Sequence, residues 1–465
     1  MTAEMSSHPS DRPGRPGAGP PGTGAAIGGP AGRPGPPGPG GPAVPPALAG
    51  DAGSSGIAGP SGTPASPPFY RPADARGPGL DRPVLPPGTY RRRQEALRAE
   101  AARRGLDAVL AVGRAFYERG GHVAYLCGHL APAPTAAAVP GHEGWGQSLL
   151  LVPQRGPVTL IADAARPEIA TCDAVEVTPA HPRALIALLR RLSLTTGRIG
   201  VAGSDLWSWA AFRQVSQALP GVEWVPADDL VSRPRRVKDP EEVALLARAA
   251  QAADAGLQAA LEVTRAGLSE QQLGAAGTAA ALAAGADFIR YFRVHSAAWS
   301  LLGFRWPQAT SRRLRPGEPV AFDIIGARWG YHFDVLRTAL VGRPSPELER
   351  LAAATEACLE AVLARCRPGT PVAGLLAAAR EAADRHGFGP YLAPLLGHGI
   401  GLETVEEPLL LPGVEDRLEE GMVLCIEPAL RVPGLGGYSI EEEVVVRAGE
   451  PEVLTRTARR PVVAA

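Results

Sequence analysis

The chain has 465 residues, 47 of them basic and 47 acidic, so it carries no formal net charge. That balance argues against nucleic acid or an anionic membrane as the main partner. Residues 1–90 hold 22 prolines and 20 glycines, 42 of the 105 in the chain. Segments such as GRPGPPGPGGP cannot bury enough apolar surface to offset the entropy of ordering. Glycine does not recur at every third position, which excludes a collagen helix. Residues 1–88 are therefore expected to be a disordered tail. No basic stretch followed by an apolar one opens the chain, so no secretory signal is expected. No uncharged apolar run approaches the ~18 residues of a membrane span. The five cysteines, Cys127, Cys172, Cys358, Cys366 and Cys425, form no CxxC pair. They read as buried thiols, which predicts a cytoplasmic protein.

The remaining length predicts two domains. RRRQEALRAEAARRG reads as an amphipathic helix ending at Gly105. DAVLAVG, VAYLCG, SLLLV and PVTLIA read as short buried strands. A helix over about 182–193 and the apolar runs RIGVAG and VEWVPA follow. This predicts an α/β domain over 89–231. In RVKDPEE, Asp239, Pro240 and Glu242 form the start of a helix, with Gly267 as its stop. Ser269 and Gln272 start another, halted near Gly285. Strands rich in Val and Ile then alternate with helices at about 346–366 and 372–385. The second domain, 232–465, is predicted to be α+β.

Its strands carry carboxylates where apolar residues are cheaper. Asp323 sits within VAFDIIG, Asp334 within YHFDVLRT after a turn at Arg328–Gly330, Glu427 within VLCIEPAL, and Glu441 opens IEEEVVV. A buried isolated carboxylate costs several kcal/mol, so each needs a partner. Lys238 is the only lysine, and a divalent metal is a common partner for all four. An arginine partner is the competing explanation for any one of them alone. His398, in the glycine-rich turn GHGIGL, adds a nitrogen donor.

The motifs FDIIGARWGYHFDVLRT, GHGIGLETVEEP, GMVLCIEPA and IEEEVVV, in this order, resemble the pita-bread metallopeptidases. These include aminopeptidase P, prolidase and methionine aminopeptidase, with the non-peptidase relative creatinase. The layout, over about residues 89–460, is similar to the aminopeptidase P, prolidase and creatinase branch. The resemblance implies an α/β N-terminal domain followed by a pita-bread catalytic domain. It implies two divalent ions held by Asp323, Asp334, His398, Glu427 and Glu441, with Asp334 and Glu441 bridging. Such a hard donor set suits Mn²⁺, with Fe²⁺, Co²⁺ or Zn²⁺ possible. The ions activate a water and polarise the scissile carbonyl, and Glu427 accepts a proton. A homodimer is expected on the same ground.

Three positions depart from the family pattern. Val405 stands where a second histidine follows the ligand histidine. No histidine occurs in GFRWPQ, where Trp306 is near the expected place. Ser439 replaces an arginine two residues before the last glutamate ligand. Replacement donors are sought in His295, as a catalytic candidate, and in Arg293, Tyr291 and Trp299, which suit a carboxylate or a cation. His332 and Arg337 read as structural, and Glu406 with Glu407 as solvated charge. His122 and Tyr125 read as a buried segment of the first domain, or as part of a substrate cleft. The function expected is a metal-dependent hydrolase of small peptides or amides. The alternatives are a C–N hydrolase or lyase acting on a small non-peptidic molecule, and a metal-binding scaffold without activity.

Overall fold

The computed structural model describes residues 85–463 apart from 138, 165–169 and 302–305. The expected tail lies outside the described residues as far as residue 84. Its expected boundary at 88 falls inside a helix, because Leu85 is already buried and α1 (Pro87–Arg103) starts at a proline suited to the first turn. Among the described residues no helix is long and apolar enough to cross a membrane.

After α1 come β1 (Ala108–Arg114), α2 (Gly121–Cys127), β2 (Gln147–Pro153), β3 (Thr159–Ala162) and β4 (Ala174–Val177). Then follow α3 (His181–Arg191), β5 (Thr196–Ala202), α4 (Trp209–Ala218), β6 (Gly221–Pro226) and α5 (Asp229–Arg235). The six strands form one mixed sheet in the order β4-β3-β2-β1-β5-β6. The central strand alternates sides: Val109 and Ala111 pack with Leu97 and Ala101 of α1, while Leu110 and Val112 pack with Leu185 and Leu188 of α3. VAYLCG was expected as a strand and is helical, as most of α2. It is buried throughout, so its apolar run carries no period, and Gly128 closes the helix in the left-handed conformation at φ 81°.

The second set of elements begins with α6 (Pro240–Val263) and α7 (Glu270–Ala283), both opened by the expected capping boxes. α6 stops four residues before Gly267, because Thr264 turns extended and its hydroxyl donates back to the Ala260 carbonyl. Next are β7 (Phe288–Ser296), β8 (Pro319–Arg328), β9 (Tyr331–Val341), α8 (Pro346–Leu363) and α9 (Val372–Arg385). The chain continues through β10 (Gly397–Gly399), β11 (Glu406–Leu409), β12 (Val423–Ile426), β13 (Ala429–Val432), β14 (Gly436–Ser439), β15 (Glu442–Val445), β16 (Glu452–Val453) and β17 (Val462–Val463). One sheet runs β17-β9-β8-β7 and another β11-β10-β12-β15-β16, while β13 and β14 form a separate ribbon.

Strand alternation explains how these layers make room for polar groups. Phe322 and Ile324 of β8 and Val335 of β9 pack with Ala253 and Leu257 of α6. Leu424 and Ile426 of β12 and Val444 of β15 pack with residues of α8 and α9. Each sheet is therefore backed by helices on one face, and the residues between the apolar ones point the other way. Those residues include Asp323, Asp334, His398, Cys425 and Glu443.

Candidate metal centre

The β8–β9 hairpin turns at Trp329 and Gly330, both with positive φ, where the sequence predicted a turn. Its register pairs Asp323 with Leu336 and Ile325 with Asp334, so both aspartates lie on one face. The backbone N–H of Glu441 donates to the Leu336 carbonyl at 3.0 Å, which brings the start of β15 beside β9. As a result, carboxylate oxygens of Asp323, Asp334 and Glu441 all lie within 4.8 Å of one another, and all three residues are buried.

His398 and Glu427 border the same cluster. His398 Nε2 is 3.6 Å from Asp334 Oδ2 and 3.6 Å from Glu427 Oε1. His398 was expected in a turn but occupies β10, paired with Cys425 of β12. Its two glycines allow this. A β-carbon at Gly397 would collide with the Cys425 carbonyl, and one at Gly399 with the Glu407 carbonyl. The Nδ1 of His398 lies 2.9 Å from the Gly399 carbonyl oxygen. A carbonyl only accepts, so Nδ1 carries a proton, and Nε2 is the nitrogen that faces the carboxylates.

Electrostatically the cluster holds more carboxylates than its one arginine, Arg293, can balance. Burial first, then the charge of Asp334, pushes Asp323 up to about 7 against the pull of Arg293. Burial and Asp334 push Glu427 up to about 7 although His398 opposes the rise. Burial and three neighbouring carboxylates hold Glu441 well above the usual carboxylate range. Burial works against a charge on His398, yet Asp334 and Glu427 raise it to about 9. Asp323 Oδ1 is buried and has no hydrogen-bond partner among the described residues. An orphaned carboxylate oxygen, crowded acids and an imidazole nitrogen turned toward them fit a divalent metal.

The surrounding residues have separate tasks. Arg293 of β7 donates to Asp323 Oδ2 at 2.8 Å and lies over the Tyr291 ring, so it is engaged with the cluster itself. His295 is buried on the same face, and lines a cavity of about 30 Å³ with Arg293, Asp323, Thr338, Arg431 and Ser439. Trp306 is 83 % exposed and Trp299 46 % exposed. Val405 is 54 % exposed and lines a different cleft, beside His122, Arg119 and Glu403. Neither Trp306 nor Val405 belongs to the cavity at Asp323.

Several residues differ from their sequence reading. Glu406 was expected in solvent but is buried, accepting from Arg235 Nη2 at 2.5 Å and Lys238 Nζ at 3.1 Å. Despite burial, those two cations lower its pKa to about 2. His122 contacts Arg235 at 2.8 Å and Tyr125 lies under Arg93 at 4.0 Å, so both serve packing within the chain. His332 meets the Thr404 hydroxyl at 2.8 Å, and the fully buried Arg337 pairs with Glu442 at 2.9 Å. Sequence reasoning missed Glu443, whose Oε1 accepts the backbone N–H of Asp334 at 2.9 Å. Strand alternation was the available signal, since Glu441 and Glu443 share a face and Glu442 does not.

The sequence model of metallopeptidase family M24 matches residues 244–448, and that of the creatinase/prolidase N-terminal domain matches residues 93–237. The chain is 28% identical over 265 residues to an Xaa-Pro dipeptidase of Pyrococcus furiosus, covering 57% of this chain and 75% of that protein. It is 29% identical over 259 residues to a putative dipeptidase of Bacillus subtilis, YkvY, covering 54% of this chain and 69% of that protein. Among solved structures it is similar to the dipeptidase PepE of Mycobacterium ulcerans. That match has a TM-score of 0.69 and 27% identity over 82% of this chain and 100% of the other. The prolidase of Pyrococcus horikoshii OT3 superposes with a TM-score of 0.69 at 22% identity, over 80% and 99% of the two chains.

Proposed function

Because the chain belongs to metallopeptidase family M24, we propose that it is a dinuclear metal-dependent hydrolase of the prolidase and Xaa-Pro aminopeptidase type, cleaving small peptides or amides. The observation that carries this reading is the convergence of Asp323, Asp334 and Glu441 within 4.8 Å, with His398 at its edge. In this proposal Asp323, Asp334, His398, Glu427 and Glu441 are the residues that would hold two divalent ions. The all-oxygen-and-imidazole donor set favours Mn²⁺ over softer metals. Two ions at such a centre supply an acidified water and a polarised carbonyl.

The chain's own residues do the rest. Glu427, less enclosed than the other ligands, stands at the cluster's edge and is the proton acceptor. Arg293 fixes the carboxylate plane of Asp323, and Glu443 fixes the backbone of Asp334. His295, on the same sheet face as Arg293, is the nearest imidazole to the Asp323 cavity and serves as a donor to substrate. In this reading the creatinase-type domain runs from the start of α1 to about residue 231, and the catalytic domain follows it. Five cysteines without a disulfide support a cytoplasmic setting.

Purified protein with Mn²⁺ or Co²⁺ should hydrolyse Xaa-Pro dipeptides, and Asp334→Ala should abolish both metal binding and turnover. No cleavage of a broad peptide panel by metal-loaded protein would refute the peptidase reading. A second reading, hydrolysis of a non-peptidic amide, draws on the absence of imidazoles at Val405 and Trp306. It gains if Val405→His with Trp306→His leaves peptide cleavage unimproved.

A further inference from the structure

We propose that Cys425 is a positioning residue of the metal centre. Together with Glu443 it clamps the main chain of Asp334 and so sets the metal affinity of the site, a proposal that rests on the metal-dependent reading above. The starting point is a row of side chains across one sheet. Cys425 of β12 is paired with His398 of β10 on one side and with Glu443 of β15 on the other. Paired residues share a face of a sheet, so the three stand in line on the face turned away from α8 and α9. All three reach the same residue of the other sheet. His398 Nε2 is 3.6 Å from Asp334 Oδ2, the Cys425 sulfur is 3.4 Å from the Asp334 carbonyl oxygen, and Glu443 Oε1 accepts the Asp334 N–H at 2.9 Å. The carbonyl oxygen has no proton to give, so the thiol is the donor.

The place of Asp334 in its own sheet shows what the clamp replaces. In an antiparallel strand, successive residues direct their N–H and C=O alternately toward one neighbour and the other. Asp334 is paired with Ile325 of β8, yet its N–H and C=O both meet side chains of β12 and β15, so they point away from β8. Two residues on, the Leu336 carbonyl points the same way and accepts the Glu441 N–H. On that side β17 joins β9 only at Leu340 and Val341, and a single bridge links Arg337 to Ile440. Among the described residues no strand pairs with β9 there at Asp334. Asp334 is buried, and buried main-chain groups need partners. Cys425 and Glu443 stand where a neighbouring strand would be.

The same sulfur lies 3.9 Å from Glu441 Oε2, so one fully buried side chain borders two proposed ligands. With its N–H and C=O both held, Asp334 brings its carboxylate to an ion with only side-chain torsions left to fix. That preorganisation lowers the cost of binding. Groups that orient a ligand without touching the ion are typically worth about 10- to 100-fold in metal affinity.

The test uses the full chain, stripped of metal by chelator, as the parent and as Cys425→Thr, Cys425→Val and Cys425→Ala. Thr and Val share a shape and differ in the hydroxyl donor, while Ala removes the sulfur without adding bulk. Mn²⁺ affinity is read by calorimetry, Co²⁺ binding by its absorption spectrum, and stability by unfolding in chelator. Cys425→Val and Cys425→Ala should bind Mn²⁺ about 10- to 100-fold more weakly than the parent, and Cys425→Thr should recover at least half of that loss on a logarithmic scale. A thiol that only fills space would change unfolding in chelator and leave the affinity of the folded protein alone. Equal affinities in the parent, Cys425→Thr and Cys425→Val would therefore overturn the proposal, as would equal weakening in Thr and Val. A sulfur-to-cobalt charge-transfer band in the parent that Cys425→Thr lacks would also overturn it, because the thiol would then be a ligand. Should Cys425→Val not fold, Cys425→Thr against Cys425→Ala carries the same decision. A parent that binds neither ion would refute the metal-dependent reading and the proposal with it, an outcome distinct from equal binding by parent and variants.

Discussion

Replacing Glu441 by glutamine separates metal binding from a purely structural role for the carboxylate cluster. Glu441 is 4% exposed, and burial with the charges of Asp334, Glu427 and Asp323 lifts its pKa well above the ordinary value. That shift favours the protonated, uncharged form, whose shape and charge glutamine reproduces. In chelator at pH 7.5 the variant should therefore unfold within ~1 kcal/mol of the parent. The parent itself carries a penalty whose sign is fixed. A carboxyl with a raised folded pKa keeps a proton that the unfolded chain has released, so stability falls as pH rises through that interval. For Asp323, moved from 3.8 to about 7, the loss is complete above pH 7 and amounts to up to ~4 kcal/mol. Bound cations reverse it. At a free concentration ~1,000 times its Kd one ion adds ~4 kcal/mol, roughly 8–16 °C in melting temperature for a unit of 150–250 residues. Thermal melts in chelator and in excess Mn²⁺, with metal analysis of the same samples, give the answer. The parent should gain on metal addition and Glu441→Gln should gain less than a third as much. An equal gain would refute Glu441 as a ligand, and a variant several kcal/mol weaker in chelator would refute its neutrality.

Other sites give independent expectations. Arg235→Met removes the cation shared by Glu403 and Glu406; it should cost ~3–5 kcal/mol in denaturant unfolding, because the two buried carboxylates are left with one cation each, Arg119 and Lys238. His181 is 2% exposed, and burial lowers its pKa to about 4. The unfolded chain therefore binds a proton that the folded one refuses, and stability is lost as pH falls from 6.5 to 4. Relative to His181→Phe, the parent should lose up to ~3 kcal/mol over that range in thermal melts. A chain beginning at Leu85 should match the full chain in metal affinity and melting temperature. One beginning at Tyr90 should lose about 1.5–3 kcal/mol with the burial of Leu85, and equal melting of the two would contradict that packing.

The acidic strands were legible because a carboxylate within an apolar run is costly unless it is paired, so Asp323, Asp334 and Glu427 stood out one by one. Capping boxes at Asp239 and Ser269 were legible for a similar reason, since they are local chemistry. Where the sequence misled, the deciding contact came from far along the chain. Glu406 looks like surface charge until Arg235 and Lys238, 171 and 168 positions away, are brought to it. VAYLCG has no period because every side of it is buried. Arg293 was sought for substrate and turned out to hold Asp323, a pairing set by strand register that no short motif encodes.

The segment from His398 to Glu407 connects two charge clusters that would otherwise be separate. At one end His398 faces Asp334 and Glu427. At the other, Glu403, Glu406 and Glu407 meet Arg235, Arg236 and Lys238, which lie where the chain passes from the six-stranded sheet into α6. Between them Gly399 lies so close to the Glu407 carbonyl that no side chain fits, and Thr404 bonds His332, two residues before Asp334. The segment therefore has little freedom to shift without disturbing both ends. A buried ion network is weak evidence for stability by itself. Its stronger use here is positional, because the histidine aimed at the carboxylates is held by contacts with the polypeptide that joins the first sheet to the second half. The zero net charge of the chain conceals this arrangement, in which acidic groups outnumber the single arginine paired with them at the metal centre, while arginines and a lysine fully match the glutamates that anchor the segment beside it.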